Sequence, residues 1–203
     1  TLSGATTTSE ALVSTGTGTL TLGGDITYTS PKNPLGATIS GKLSLGSSDR
    51  TFSIQDSSSA ANDLTISAIL SGDSGVGFTK NDFGTLLLSE DNIYTGLTTV
   101  SGGLLTLSGS NSAATGGITV NNGGAICFES LASINGTGQN VTIESGGLAY
   151  FGSSFGAGNI PTALTTRFHS SSTGAVAVDN FPGADFNFGS LNVSLGALDD
   201  VTY

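Results

Sequence analysis

The sequence predicts an all-β protein, most specifically a right-handed parallel β-helix of about nine or ten coils. The first observation behind this prediction is composition. The 203 residues include 31 glycines and four prolines, and only 10% are charged, so residues that favour helices are scarce. The second is that short segments of alternating apolar and polar residues recur at intervals of about 20 residues, as in a solenoid. An antiparallel β-sandwich is the alternative fold.

Three consecutive units in the middle of the chain carry the repeat. They read TTVSGGLLTLSG, ITVNNGGAICFES and VTIESGGLAYFGS, and they begin at Thr98, Ile118 and Val141. Each unit places a Gly-Gly pair between two alternating segments. This order predicts strand, corner, strand, because glycine accepts the positive φ values that a sharp bend requires. Residues 98–151 are therefore predicted to form three coils in register.

The alternation within each unit assigns side chains to the inside or the outside of the coil. In the first strands, Val100, Val120 and Ile143 are predicted to form one inward column. The second strands predict two more inward columns, because no single coil can bury its own apolar face. These columns are Leu86, Leu105, Ile126 and Ala149 in one, and Leu88, Leu107, Phe128 and Phe151 in the other.

The flanking regions follow the same pattern with a less regular period. Before the repeats, TLTLGGDITY, ATISGKLSLG, TFSIQD and LTISAIL keep the alternation. After them, residues 152–174 are predicted to leave the coil as an excursion, and AVAVD and FNFGSLNVSL return to strands. A chain of 203 residues is long enough to form a single hydrophobic core. Residues 1–203 are therefore interpreted as a single β-helix domain that is a fragment of a longer chain.

The run from Ile66 to Gly109 contains a specific order of short motifs. In sequence these are Ser-Gly, Phe-Thr-Lys, Gly-Thr-Leu, Leu-Ser, Asn, Tyr-Thr-Gly, Thr-Thr-Val and Gly. This run resembles the passenger-associated transport repeat, also called the autotransporter-associated β-strand repeat, of large secreted bacterial proteins. Leu87, Leu97 and Leu104 depart from the pattern. Tyr94, in the Tyr-Thr-Gly motif, is expected to cover a turn as a rim aromatic.

The resemblance implies where such a segment works and what surrounds it. It implies a β-helical passenger that is secreted or displayed outside the outer membrane of a Gram-negative bacterium. A C-terminal translocator barrel would then lie outside this segment, which itself would not insert into the membrane. The repeat implies assistance to export and folding, and it specifies no activity.

Three function classes are compatible with this fold. The leading hypothesis is a non-enzymatic extracellular scaffold or adhesin, and the second is a self-associating structural protein that forms a fibre or a surface coat. A polysaccharide-active enzyme is third, since glycoside hydrolysis requires two carboxyl groups about 5 to 9.5 Å apart. The acidic candidates Glu90 with Asp91, Glu129, Glu144, and Asp199 with Asp200 are interpreted as solvated surface. His169 has no triad or metal-binding pattern around it.

Charge and cysteine content restrict the partners. The net charge of −10 argues against nucleic acid and against an anionic membrane surface. No apolar run approaches the roughly 18 residues of a membrane-spanning helix. With one cysteine and one histidine, no intrachain disulfide, metal site or cofactor is predicted. The expected partner is another copy of the chain, another cell-surface or extracellular protein, or a glycan.

One predicted outer surface is unusually apolar for a β-helix. Contiguous apolar surface of more than a few hundred Å² indicates a covered or binding surface. The cover would be either the excursion at 152–174, which carries Ile160, Leu164 and Phe168, or another protein, and the excursion is the favoured one. The candidate interaction face comprises Leu87, Leu104, Cys127, Leu148 and Tyr150.

Overall fold

The computed structural model describes residues 9–111, 115–129, 133, 140–144, 146–151, 167–170, 175–178 and 194–195. The chain alternates between two parallel sheets, which form the walls of a β-solenoid. Consecutive strands belong to opposite sheets, and each strand pairs with the strand two positions along the chain. The predicted parallel β-helix is therefore confirmed, and the antiparallel sandwich is wrong. The handedness of the coil stays a prediction.

Sheet I consists of the eight odd-numbered strands. They are β1 (Ala11–Thr21), β3 (Ala37–Ser44), β5 (Leu64–Ser71), β7 (Thr85–Leu88), β9 (Gly103–Leu107), β11 (Gly124–Phe128), β13 (Leu148–Phe151) and β15 (Ala175–Val178). Sheet II consists of the eight even-numbered strands. They are β2 (Ile26–Tyr28), β4 (Arg50–Ile54), β6 (Phe78–Asn81), β8 (Thr98–Val100), β10 (Ile118–Val120), β12 (Asn140–Ile143), β14 (Arg167–Ser170) and β16 (Ser194–Leu195). A short 3-10 helix spans Ser30–Lys32.

The number of coils differs from the prediction. The described residues contribute eight strands to each sheet, which corresponds to eight coils rather than nine or ten. The reason is that the N-terminal coils are longer than the repeat unit. Ala37 pairs with both Ala11 and Leu64, at separations of 37 − 11 = 26 and 64 − 37 = 27 residues. By contrast, the paired residues Leu86 and Leu105 are only 105 − 86 = 19 residues apart.

The three central coils have the predicted register. Val120 pairs in parallel with Val100 on one side and with Ile143 on the other. The two columns of second-strand residues also align as predicted, from β7 through β13. Each Gly-Gly corner contains one glycine in the left-handed region, as at Gly103, where φ is 61°. A side chain would strain this backbone, which explains why glycine recurs at these corners.

The core is a continuous stack of apolar side chains between the two sheets. In sheet II the ring of Phe78 stacks on that of Phe52 at a centroid distance of 4.9 Å. The ring of Tyr94 meets Phe78 edge to face at 5.5 Å. The expectation that Tyr94 covers a turn at the rim is therefore wrong, because its side chain is completely buried. The loop after β7 turns inward, so a residue outside any strand reaches the core.

The predicted excursion at 152–174 is only partly described. Arg167–Ser170 forms β14, whose residues pair in parallel with those of β12. Phe168 therefore belongs to a strand of sheet II, where it pairs with Val141. Ile160 and Leu164 lie outside the described residues, as does the rest of the range. Whether this segment covers the candidate interaction face stays a prediction, because most of the segment lies outside the described part of the chain.

Candidate functional site

The structure brings the five residues of the candidate interaction face together on the outside of sheet I. They come from β7, β9, β11 and β13, which are consecutive in the sheet. Leu104 and Leu148 align in one column through Ala125, and Leu87 aligns with Cys127 through Thr106. Tyr150 follows Cys127 in that second column. Alternation along four strands thus places all five residues on the outer side of sheet I.

All five side chains are half-buried. Paired strands lie about 4.8 Å apart, so each outward side chain is flanked by its neighbours in the same column. Neighbours in the same column therefore contribute to this partial burial. The Cys127 thiol also donates to the Glu129 carboxylate, with 3.4 Å between Sγ and Oε1. The patch is a surface of moderate exposure, and what contacts it stays a prediction.

The described acidic candidates come from three places along the chain. Glu90 and Asp91 are exposed in the loop after β7, where Asp91 accepts a hydrogen bond from the backbone N–H of Ser110 at 2.9 Å. Glu129 follows β11 in sheet I, and Glu144 follows β12 in sheet II. Asp199 and Asp200 lie outside the described residues. No cluster of three or more His, Cys, Asp or Glu side chains suited to a metal occurs in the described ranges.

The most unusual polar side chain of the described core is Lys80, which was not among the residues predicted to lie in the core. Lys80 lies in β6, points into the core and has no exposed surface. Its ammonium donates to the carbonyl oxygens of Asp82 at 2.8 Å, Gly102 at 2.9 Å and Asn81 at 3.1 Å. All three N–H donors are therefore directed at backbone oxygens of two successive corners. The Lys80 side chain therefore connects the corner after β6 to the corner after β8 from inside the solenoid.

Burial lowers the pKa of Lys80 to about 8, although the carboxylates of Asp82 and Asp63 oppose this shift. A buried ammonium must give up its hydration, and the three carbonyls replace only part of it. Asp63 is also buried, and burial raises its pKa. Its two carboxylate oxygens accept backbone N–H bonds from Ser57 and Thr85, each at 2.7 Å. Both charged groups therefore hold loops to strands.

Two further residues of the motif-bearing run form a buried polar network. The Asn92 side chain accepts from the backbone N–H of Leu70 at 3.0 Å and donates to the carbonyl of Glu90 at 2.9 Å. The Tyr94 hydroxyl lies 2.6 Å from the Thr98 hydroxyl and accepts from the Asn111 amide at 3.1 Å. Burial raises the pKa of Tyr94 to about 12. The bonds from Asn92 to Leu70 and from Asn111 to Tyr94 join successive coils, and all four contacts assign structural roles to the motif residues.

We expect the stability of the chain to depend on the ionisation of Lys80. The pKa of Lys80 is lower in the folded chain, about 8 against 10.5, so the unfolded chain holds more protons between these values. The free energy of unfolding should therefore rise between about pH 7 and about pH 9.5. Urea unfolding at both pH values measures this difference.

Lys80→Met separates this effect from other titrations. The variant keeps an unbranched side chain but has no ammonium, so the part of the pH dependence that comes from Lys80 should disappear. Lys42→Met is the matched control, since Lys42 lies on an exposed position of β3. An equal rise of stability with pH in wild type and in Lys80→Met would contradict the role assigned to this buried charge.

Comparison with known proteins finds similarity to part of a large autotransporter adhesin. The chain is 39% identical over 105 residues to the Adhesin BmaC autotransporter of Brucella suis biovar 1 (strain 1330). This alignment covers 52% of the chain and 3% of that relative, so the chain corresponds to a small part of the length of a very large protein. No family model matches the sequence, and no solved structure matches it. Within the described residues, no helix has the length and apolar character needed to span a bilayer.

Proposed function

We propose that this chain is a non-enzymatic segment of an autotransporter passenger that acts as an extracellular scaffold or adhesin. The observation that carries the proposal is the similarity to an autotransporter adhesin over half of a chain that folds as a parallel β-solenoid. The motifs between Ile66 and Gly109 support the same assignment, because polar side chains within them bond from one coil to the next inside the solenoid. By this proposal they constitute a passenger-associated transport repeat.

Localisation tests this proposal directly. Antibodies raised against residues 9–111 should label intact Gram-negative cells that express the full-length protein. Treatment of the intact cells with a protease that does not cross the outer membrane should remove the label. A periplasmic protein of the same cells, protected from the protease, is the control. Labelling that requires permeabilised cells would contradict a surface role.

We expect the chain to be inactive on polysaccharides. Among the acidic candidates, Glu90 and Asp91 lie in the loop after β7, and Glu129 and Glu144 follow the ends of β11 and β12. Incubation of the chain with a panel of polysaccharides should release no new reducing ends and no unsaturated products. Turnover that is lost when Glu129 or Glu144 is replaced with glutamine would contradict the non-enzymatic assignment.

A second candidate function is self-association through the candidate interaction face. The observation that favours it is that Leu87, Leu104, Leu148 and Tyr150 share the outer side of sheet I, interrupted by Thr106, where strands of a soluble solenoid would present polar or charged residues. In this hypothesis the face binds another copy of the chain in a fibre or coat. The alternative cover, the segment after β13, would bury the same face within one chain.

Leu104→Asp tests whether the candidate interaction face is covered by another segment or by another molecule. A charge placed in a covered apolar surface should weaken self-association or lower the free energy of unfolding by about 1–3 kcal/mol. Sedimentation equilibrium and urea unfolding measure the two effects. Thr99→Asp, on the outer side of sheet II, is the matched control and should change neither quantity. If Leu104→Asp also changes neither quantity, the face has no covering partner.

A further inference from the structure

We draw no further inference here: the strongest candidate, the column of half-buried threonines that crosses five strands on the outer side of sheet II, from Thr51 in β4 to Thr142 in β12, carries no proposal because threonine is a common outward residue of β-strands and nothing in the described part of the structure shows what binds or covers it.

Discussion

Phe78→Ala is expected to lower the free energy of unfolding by about 3–5 kcal/mol, the range for removing a buried phenylalanine ring. Phe78 is 2% exposed and occupies the centre of an aromatic stack. Its ring contacts that of Phe52 on one side and that of Tyr94 on the other. Removing it leaves a cavity between three coils whose backbones are joined by hydrogen bonds and cannot collapse around it. Urea unfolding at neutral pH measures the loss.

Phe83→Ala is the matched control for Phe78→Ala. It deletes the same ring five residues further along the chain, at a corner where the side chain is 83% exposed. The free energy of unfolding should then change by no more than about 0.5 kcal/mol. Equal losses for the two variants would show that the aromatic stack does not stabilise the solenoid.

Gly96→Ala is expected to destabilise the chain by about 3 kcal/mol or more, because the added methyl group meets backbone rather than movable side chains. A Cβ on Gly96 would lie 2.1 Å from the carbonyl carbon of Val76 and 2.2 Å from the backbone nitrogen of Gly77. Gly116, in the following coil, also packs closely on Gly96, since a Cβ on Gly116 would lie 2.5 Å from the carbonyl carbon of Gly96. The coils can therefore accept the methyl group only by separating, which would break the hydrogen bond from Gly96 to the carbonyl of Val76.

Gly24→Ala is the matched control for Gly96→Ala. Gly24 lies between β1 and β2, its φ is not positive, and no atom lies within 4 Å of its ideal Cβ position. Its replacement should change the free energy of unfolding by no more than about 0.5 kcal/mol in either direction. Thermal unfolding monitored by circular dichroism compares the two variants. A loss in Gly96→Ala no larger than that in Gly24→Ala would contradict the close packing of coils at this loop.

The outward direction of the residues in the candidate interaction face could be predicted from the sequence, because strand alternation decides it. In β9, for example, Leu105 and Leu107 point inward, so Leu104 must point outward. The period-two rule needs no knowledge of the neighbouring coil. What covers the face is a different question. It depends on a distant segment or a second molecule, and alternation within the strands carries no information about either.

The buried polar residues could not be located in the same way. Lys80 shares its face of β6 with Phe78, so alternation would have placed it inward, but a charged side chain in the core is unexpected without its partners. The partners are the carbonyls of Asn81, Asp82 and Gly102. Every residue has a backbone carbonyl, so the sequence does not indicate which carbonyls will surround the Lys80 ammonium.

By itself, the sequence determined the parallel solenoid, the register of the central coils and the inward columns, because these follow from a short repeat and from alternation along each strand. The tertiary structure alone decided the course of the loops. Tyr94 and Asn92 are buried although they lie outside any strand, and the coils that contain residues 29–36 and 55–63 are longer than the repeat. Whether a loop residue points inward depends on where the chain bends against the next coil. That bend is set by contacts between coils, such as the backbone packing at Gly96.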